Sequence, residues 1–243
     1  MSAYDIDVSG ADASTKKTEP VDGASATIPG KPGDPGKSTA WHKCKLEATP
    51  GHRGHGGETA PAAPHGGHGG NAWSVSIEIA DFSGPGLSIK NHGGKGGPGS
   101  DGGIGGSGSA GGDAGKQPKG CKQVIAGGIG GGAGGGGNAG AGGKGGNASS
   151  ISVLAGSAIQ SSAISADSCG GDGGAFGNPG KAGTPGPGGM GSDGKAAEDG
   201  PRAGAGGEAK SGDSGKSGGY IFSNDSSQPA SYLKISISQN PSQ

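Results

Sequence analysis

The sequence predicts a β protein built on polyglycine II helices: about six antiparallel helices in three arms, joined by β-hairpins that form a small sandwich, with essentially no α-helix. Glycine recurs at every third residue over long runs, and short stretches of alternating apolar and polar residues separate those runs. No stretch shows the three-to-four spacing of an amphipathic helix. The chain reads as one interleaved domain, with arms at 30–72, 92–147 and 170–219 and hairpins at 3–28, 73–90, 149–165 and 220–238.

The middle arm is the clearest. Glycine stands at Gly93, Gly96, Gly99, Gly102 and Gly105 and continues to Gly111. Residues 116–127 interrupt the pattern with Cys121, Val124 and Ile125, and the triplet resumes in a new register at Gly128, Gly131, Gly134, Gly137, Gly140 and Gly143. Three residues per turn is the repeat of the polyproline II helix, so each triplet position keeps to one face. At about 3.1 Å per residue, each run spans roughly 60 Å. The third arm runs out on Gly174, Gly177, Gly180 and Gly183 and returns on Gly200, Gly206, Gly212 and Gly215. The first opens on Gly30, Gly33 and Gly36, is interrupted from Trp41 to Ala48, and returns through Gly51, Ala60 and Ala63 to Gly69.

Alternation supplies the strands. Tyr4, Ile6 and Val8 form the first, with a polar loop from Gly10 to Gly23 and a short partner at Ala24–Ile28. Trp73, Val75, Ile77 and Ile79 lead through Ser83-Gly84-Pro85-Gly86 to Leu87 and Ile89, the pattern of a hairpin. Ile151 and Val153 pair with Ile159 and Ile164, and Tyr220 and Phe222 with Leu233, Ile235 and Ile237. Gly70–Ile77 matches Gly146–Val153, which marks an internal repeat.

A polyproline II helix makes no internal hydrogen bonds, so its N–H and C=O groups must pair with neighbouring helices, and backbones can approach only where no Cβ intervenes. The triplet glycines named above, from Gly93 to Gly183, are therefore the expected helix-packing residues. Gly-Gly-X gives two close faces, which puts 128–146 at the centre, whereas Phe176, Pro179, Lys181 and Pro185 suit an outer position for 171–189. Collagen is the structural rival, strongest at Gly177–Gly186, but its parallel chains conflict with arms that reverse direction.

Composition removes several function classes. Of 243 residues 64 are Gly and 16 Pro, and only 28% are hydrophobic, too few for an ordinary globular core. A net charge of -1 gives no attraction to nucleic acid, and no apolar run is long enough for a membrane span. No signal peptide of the usual basic-then-apolar kind opens the chain.

Candidate chemistry is sparse. Gly36-Lys37-Ser38-Thr39 resembles the end of a phosphate-binding loop, but Lys31 stands where its first glycine belongs. His52 and His55 share a face yet lie about 9 Å apart along the axis, too far to share one ion, and His65 and His68 are spaced alike. They read as surface histidines. Cys44 and Cys121 both fall at arm tips and are the one sensible disulfide pair, with Cys169 left over at the hairpin end. No nucleophile–base pair emerges, and no catalytic, cofactor or metal residue is expected.

The Gly-Gly-X runs in antiparallel blocks resemble the polyglycine II bundles of snow-flea antifreeze proteins and the glycine-rich tip adhesins of T-even-type phages. The similarity covers the glycine arms and implies a bundle fold with an ice- or receptor-binding role. The strands, the odd cysteine count and the aromatic-poor tips depart from those families.

The expected function is non-enzymatic: a self-assembling fibre or surface-layer subunit, with an ice-binding module or receptor-binding adhesin as the alternative. The expected partners are copies of the chain itself, with ice or a surface receptor under the alternative. Tyr4, Ile6 and Val8, and Leu233, Ile235 and Ile237, are the terminal strands expected to mediate assembly by pairing with another subunit. An extracellular, cell-surface or virion-surface location is favoured.

Overall fold

The computed structural model describes residues 5–80, 86–225 and 233–238. Tyr4 and Ser83–Pro85, to which the sequence reading gives a strand and a turn, lie outside them. No α-helix occurs among the described residues; one 3-10 turn spans Ser161–Ala163.

At one end two sheets face each other. The first is three-stranded and parallel, ordered β1 (Ile6–Asp7), β5 (Leu87–Lys90), β7 (Ile164–Asp167). The second has four strands in the order β8 (Tyr220–Asp225), β6 (Ile151–Gly156), β4 (Ser74–Ile79), β9 (Leu233–Ser238), with β9 antiparallel on β4 and the rest parallel. Period-two alternation puts Val75, Ile77, Ile79, Ile151, Val153 and Ala155 on the inner face of the larger sheet, against Ile89 and Ile164 of the smaller one.

The expected hairpins do not form. β4 and β5 belong to different sheets, as do β6 and β7, and β8 and β9 sit on opposite edges of one sheet. The chain crosses between the layers from β4 to β5 and from β6 to β7, and pairing runs between repeats: Ile77 lies beside Val153, and Val153 beside Phe222. Alternation fixes which face of a strand is buried and leaves its neighbour open. The expected partner strand at Ala24–Ile28 is also absent; these residues lie in an extended segment that begins at Gly10.

Six extended segments leave the sandwich. Residues 10–36, 92–116 and 169–190 continue the three-stranded layer; residues 49–72, 126–148 and 197–219 run back into the other layer. Hydrogen bonds between segments recur every third residue. Gly128, Gly131 and Gly134 donate across the layers to Gly112, Ser109 and Gly106, while Gly130, Ala133 and Gly136 donate within their layer to Glu198, Pro201 and Gly204. Segments are parallel within a layer and antiparallel across it.

The third position of each triplet faces outward, and many of its N–H groups are answered by a short side chain from the neighbouring segment. Asp12 accepts from Lys95, Asp22 from Ile104, Asp101 from Asn178 and Asp113 from Met190, each at 2.7 Å. In the other layer Thr59, His65, His68 and Asn71 accept from Gly135, Ala141, Lys144 and Asn147. These side chains satisfy backbone donors that glycine packing leaves over.

At the far end, residues 37–48 form a small ladder of β2 (Lys37–Ser38) and β3 (Cys44–Leu46), with His42 at φ 55° in its turn. Gln117 from the adjoining tip ties in through Ala48 N–H, at 3.0 Å, and through Glu47.

Candidate functional site

Ideal Cβ atoms show how tightly the triplet glycines are held. A methyl at Gly93, Gly96, Gly99, Gly102 or Gly105 would lie within 2.1 Å of a carbonyl oxygen on segment 126–148. At Gly128, Gly131, Gly134, Gly137, Gly140 and Gly143 it would meet carbonyls of segment 49–72 within 2.3 Å. At Gly174, Gly177, Gly180 and Gly183 it would meet those of segment 92–116 within 2.1 Å. Real Cβ atoms do not approach backbone this closely, so these positions admit only glycine.

Cys44 and Cys121 form a disulfide with Cα atoms 4.6 Å apart, joining the first two tips. Trp41 beside it is 87% exposed. Lys37 and Ser38 lie in β2, and no helix follows them to receive a phosphate.

The terminal strands pair within their own chain. Ile6 lies beside Ile89, and Leu233, Ile235 and Ile237 lie beside Ile79, Ile77 and Val75. Direct cross-strand partners point to the same side of a sheet, so these three β9 residues share the face that holds the core. They are nevertheless 62%, 44% and 51% exposed, whereas their β4 partners are 2% exposed or less. Four strands lie over three, and β9 is the surplus strand. The opposite edge carries Tyr220 and Ile221, at 41% and 62%.

A side-chain cluster that the sequence reading misses sits where the three-stranded layer passes into its segments. His92 Nε2 is 2.8 Å from Asp167 Oδ2 and 3.6 Å from Cys169 Sγ, and the thiol is 3.2 Å from Asp167 Oδ1. The hydrogen bond to Asp167 pushes the Cys169 thiol above its ordinary pKa and keeps it protonated. A shallow groove lined by Ser9, Asp12, Lys90, Lys95 and Asp172 adjoins it. The internal repeat is the signal that could have found it: Cys169 lies 77 residues after His92, close to the Gly70–Gly146 offset.

No helix among the described residues is long and apolar enough to cross a membrane. No protein-family model and no curated protein matches this chain. Among solved structures it is similar to the nine polyproline type II helical bundle springtail antifreeze protein from Granisotoma rainieri. That similarity is 22% identity over 84% of this chain and 98% of the other, with a TM-score of 0.13, an overlap too small to assign a fold or a function.

Proposed function

We propose that the six extended segments are polyglycine II helices in three arms, and that the protein is a non-enzymatic structural subunit that assembles with copies of itself through its β-end. The three-residue hydrogen-bond period and the packed triplet glycines support the bundle. The self-assembly reading rests on one observation: Leu233, Ile235 and Ile237 lie on the core-side face of β9 and are open to solvent.

A second copy supplies what that face lacks. With its β1 edge beside β9 and its own β9 beneath, each larger sheet continues into the partner's smaller one, and the two apolar rows cover one another. The result is a closed two-fold pair. The β8 edge, with Tyr220 and Ile221, would link pairs into a fibre or layer. The Cys44–Cys121 disulfide fits an oxidising compartment and so an extracellular or surface location.

Sedimentation velocity across a concentration series tests the reading. The wild type is expected to associate and Ile235→Lys to remain monomeric with an unchanged circular dichroism spectrum. A wild type that stays monomeric at all concentrations overturns it.

A binding module is the second reading, favoured by one surface. On the outer side of the second layer Thr59, Ala62, Gly132, Gly135 and Gly204 present small groups on adjacent segments. Lys144, Lys210 and Lys216 interrupt the regularity that ice would require. Ice-recrystallisation inhibition at micromolar protein would favour this reading, and its absence would remove the ice-binding form.

A further inference from the structure

We propose that His92, Asp167 and Cys169 form a binding site for a divalent transition-metal cation, with zinc the ion best matched to the ligand set. Their ligand atoms all lie within 4.8 Å of one another. Tetrahedral zinc with bonds of about 2.0–2.3 Å holds nitrogen, oxygen and sulfur ligand atoms roughly 3.3–3.6 Å apart. The separations here are 3.6 Å for sulfur to nitrogen, 3.2 Å for sulfur to oxygen and 2.8 Å for nitrogen to oxygen. Small side-chain rotations therefore suffice to admit an ion.

The direction of approach separates this site from a catalytic relay. In a cysteine–histidine–aspartate relay the acid holds one ring nitrogen and the thiol gives its proton to the other. Here the Asp167 carboxylate and the Cys169 sulfur both meet the same nitrogen, Nε2. The three candidate ligand atoms thus stand side by side, as sharing one cation requires.

The backbone holds them there. Lys90 is in register with Asp167, and the next bonds of the ladder, Asn91 N–H to Asp167 O and Gly93 N–H to Cys169 O, bracket His92 at 2.8 and 2.9 Å. Asp167 and Cys169 lie two residues apart in extended chain, so both reach the same side. On binding, the thiol gives its proton to the buffer, and thiolate plus carboxylate balance the double positive charge. The fourth position opens onto the groove beside Lys90, Lys95 and Asp172 and would accept water or a donor from an incoming ligand. An ion there would tie segment 92–116 to segment 169–190 at the sandwich. The assembly proposed above does not depend on it.

The test uses the full untagged chain with its disulfide intact, titrated with Co2+ as a spectroscopic probe and with Zn2+ by calorimetry. One equivalent should bind, with a cobalt–thiolate charge-transfer band, release of a proton and a higher melting temperature. Cys169→Ser should abolish the band. His92→Ala should weaken binding by at least the roughly 10–100-fold that loss of an outer partner costs. The double variant His65→Ala/His68→Ala should bind as the wild type does. Circular dichroism checks that each variant is folded. Absence of saturable binding overturns the site, as does binding retained without Cys169 and His92 or lost with His65 and His68.

Discussion

His65 Nδ1 accepts the backbone N–H of Ala141 at 2.9 Å, across 76 residues of chain. Three residues on, His68 does the same for Lys144, and Asn71 does so for Asn147. These histidines, which suggest a metal cluster by count but are spaced too widely to share an ion, are acceptors for donors that no backbone carbonyl reaches. A net hydrogen bond contributes about 1 kcal/mol, so His65→Ala/His68→Ala should lower unfolding free energy by about 2 kcal/mol in urea titration. His65→Asn should restore most of its half, since Asn71 fills the equivalent role.

Gly140 gives a sharper outcome. A Cβ there would stand 2.0 Å from the carbonyl oxygen of Pro64. Gly140→Val should abolish cooperative folding, read as loss of the thermal transition. Lys144→Ala, on the adjacent outward row, should change stability by less than about 0.5 kcal/mol. Equal melting of Gly140→Val and the wild type would refute the packing described here.

The Cys44–Cys121 bridge closes a loop of 77 residues, for which chain entropy gives about 4.5 kcal/mol of stabilisation. Cys44→Ser/Cys121→Ser should lose a stability of that order and fray first at the tips, seen by hydrogen exchange. Thiol titration of the unfolded, unreduced chain should find one free thiol, that of Cys169; finding three would show the bridge absent.

Acid should weaken the bundle in part through Asp101. The backbone N–H of Asn178 and the Lys17 ammonium, at 2.7 and 3.2 Å, hold its carboxyl below the ordinary aspartate value. Such a group stabilises the fold while ionised, and the contribution is lost as pH falls from about 4 through the depressed value. The melting temperature should drop over that range, and Asp101→Asn should drop less. The group is 40% exposed, so the difference is small.

Much of the fold is legible because steric exclusion writes it directly. Where Gly140 meets Pro64 no other residue fits, so the triplet survives in the sequence. The strands are legible for the same reason of one-sided burial, as at Val75, Ile77 and Ile79. Their pairing is not, because alternation in β4 is the same whether Leu87–Lys90 or Ile151–Gly156 lies alongside. Residues 10–28 hide their extended segment because an edge segment needs glycine only where a neighbour crowds it, as at Gly10 and Gly23. The candidate cluster has no local motif: His92 and Cys169 meet only once the segments are in register.

That register follows from two mismatched rulers. Along the glycine segments, sliding one chain by three residues restores every backbone hydrogen bond, because the pattern has period three. Along the strands the side-chain period is two, and an odd slip turns the core residues out to water. A three-residue slip of the segment that carries β6 would expose Ile151 and Val153 while Ile77 stayed inside. The shortest displacement both periods tolerate is six residues, and β4 and β6 are each six residues long, so it would unpair them completely. Like the offset scales of a vernier, the two repeats coincide at a single setting, and a chain of low local complexity acquires one unambiguous alignment.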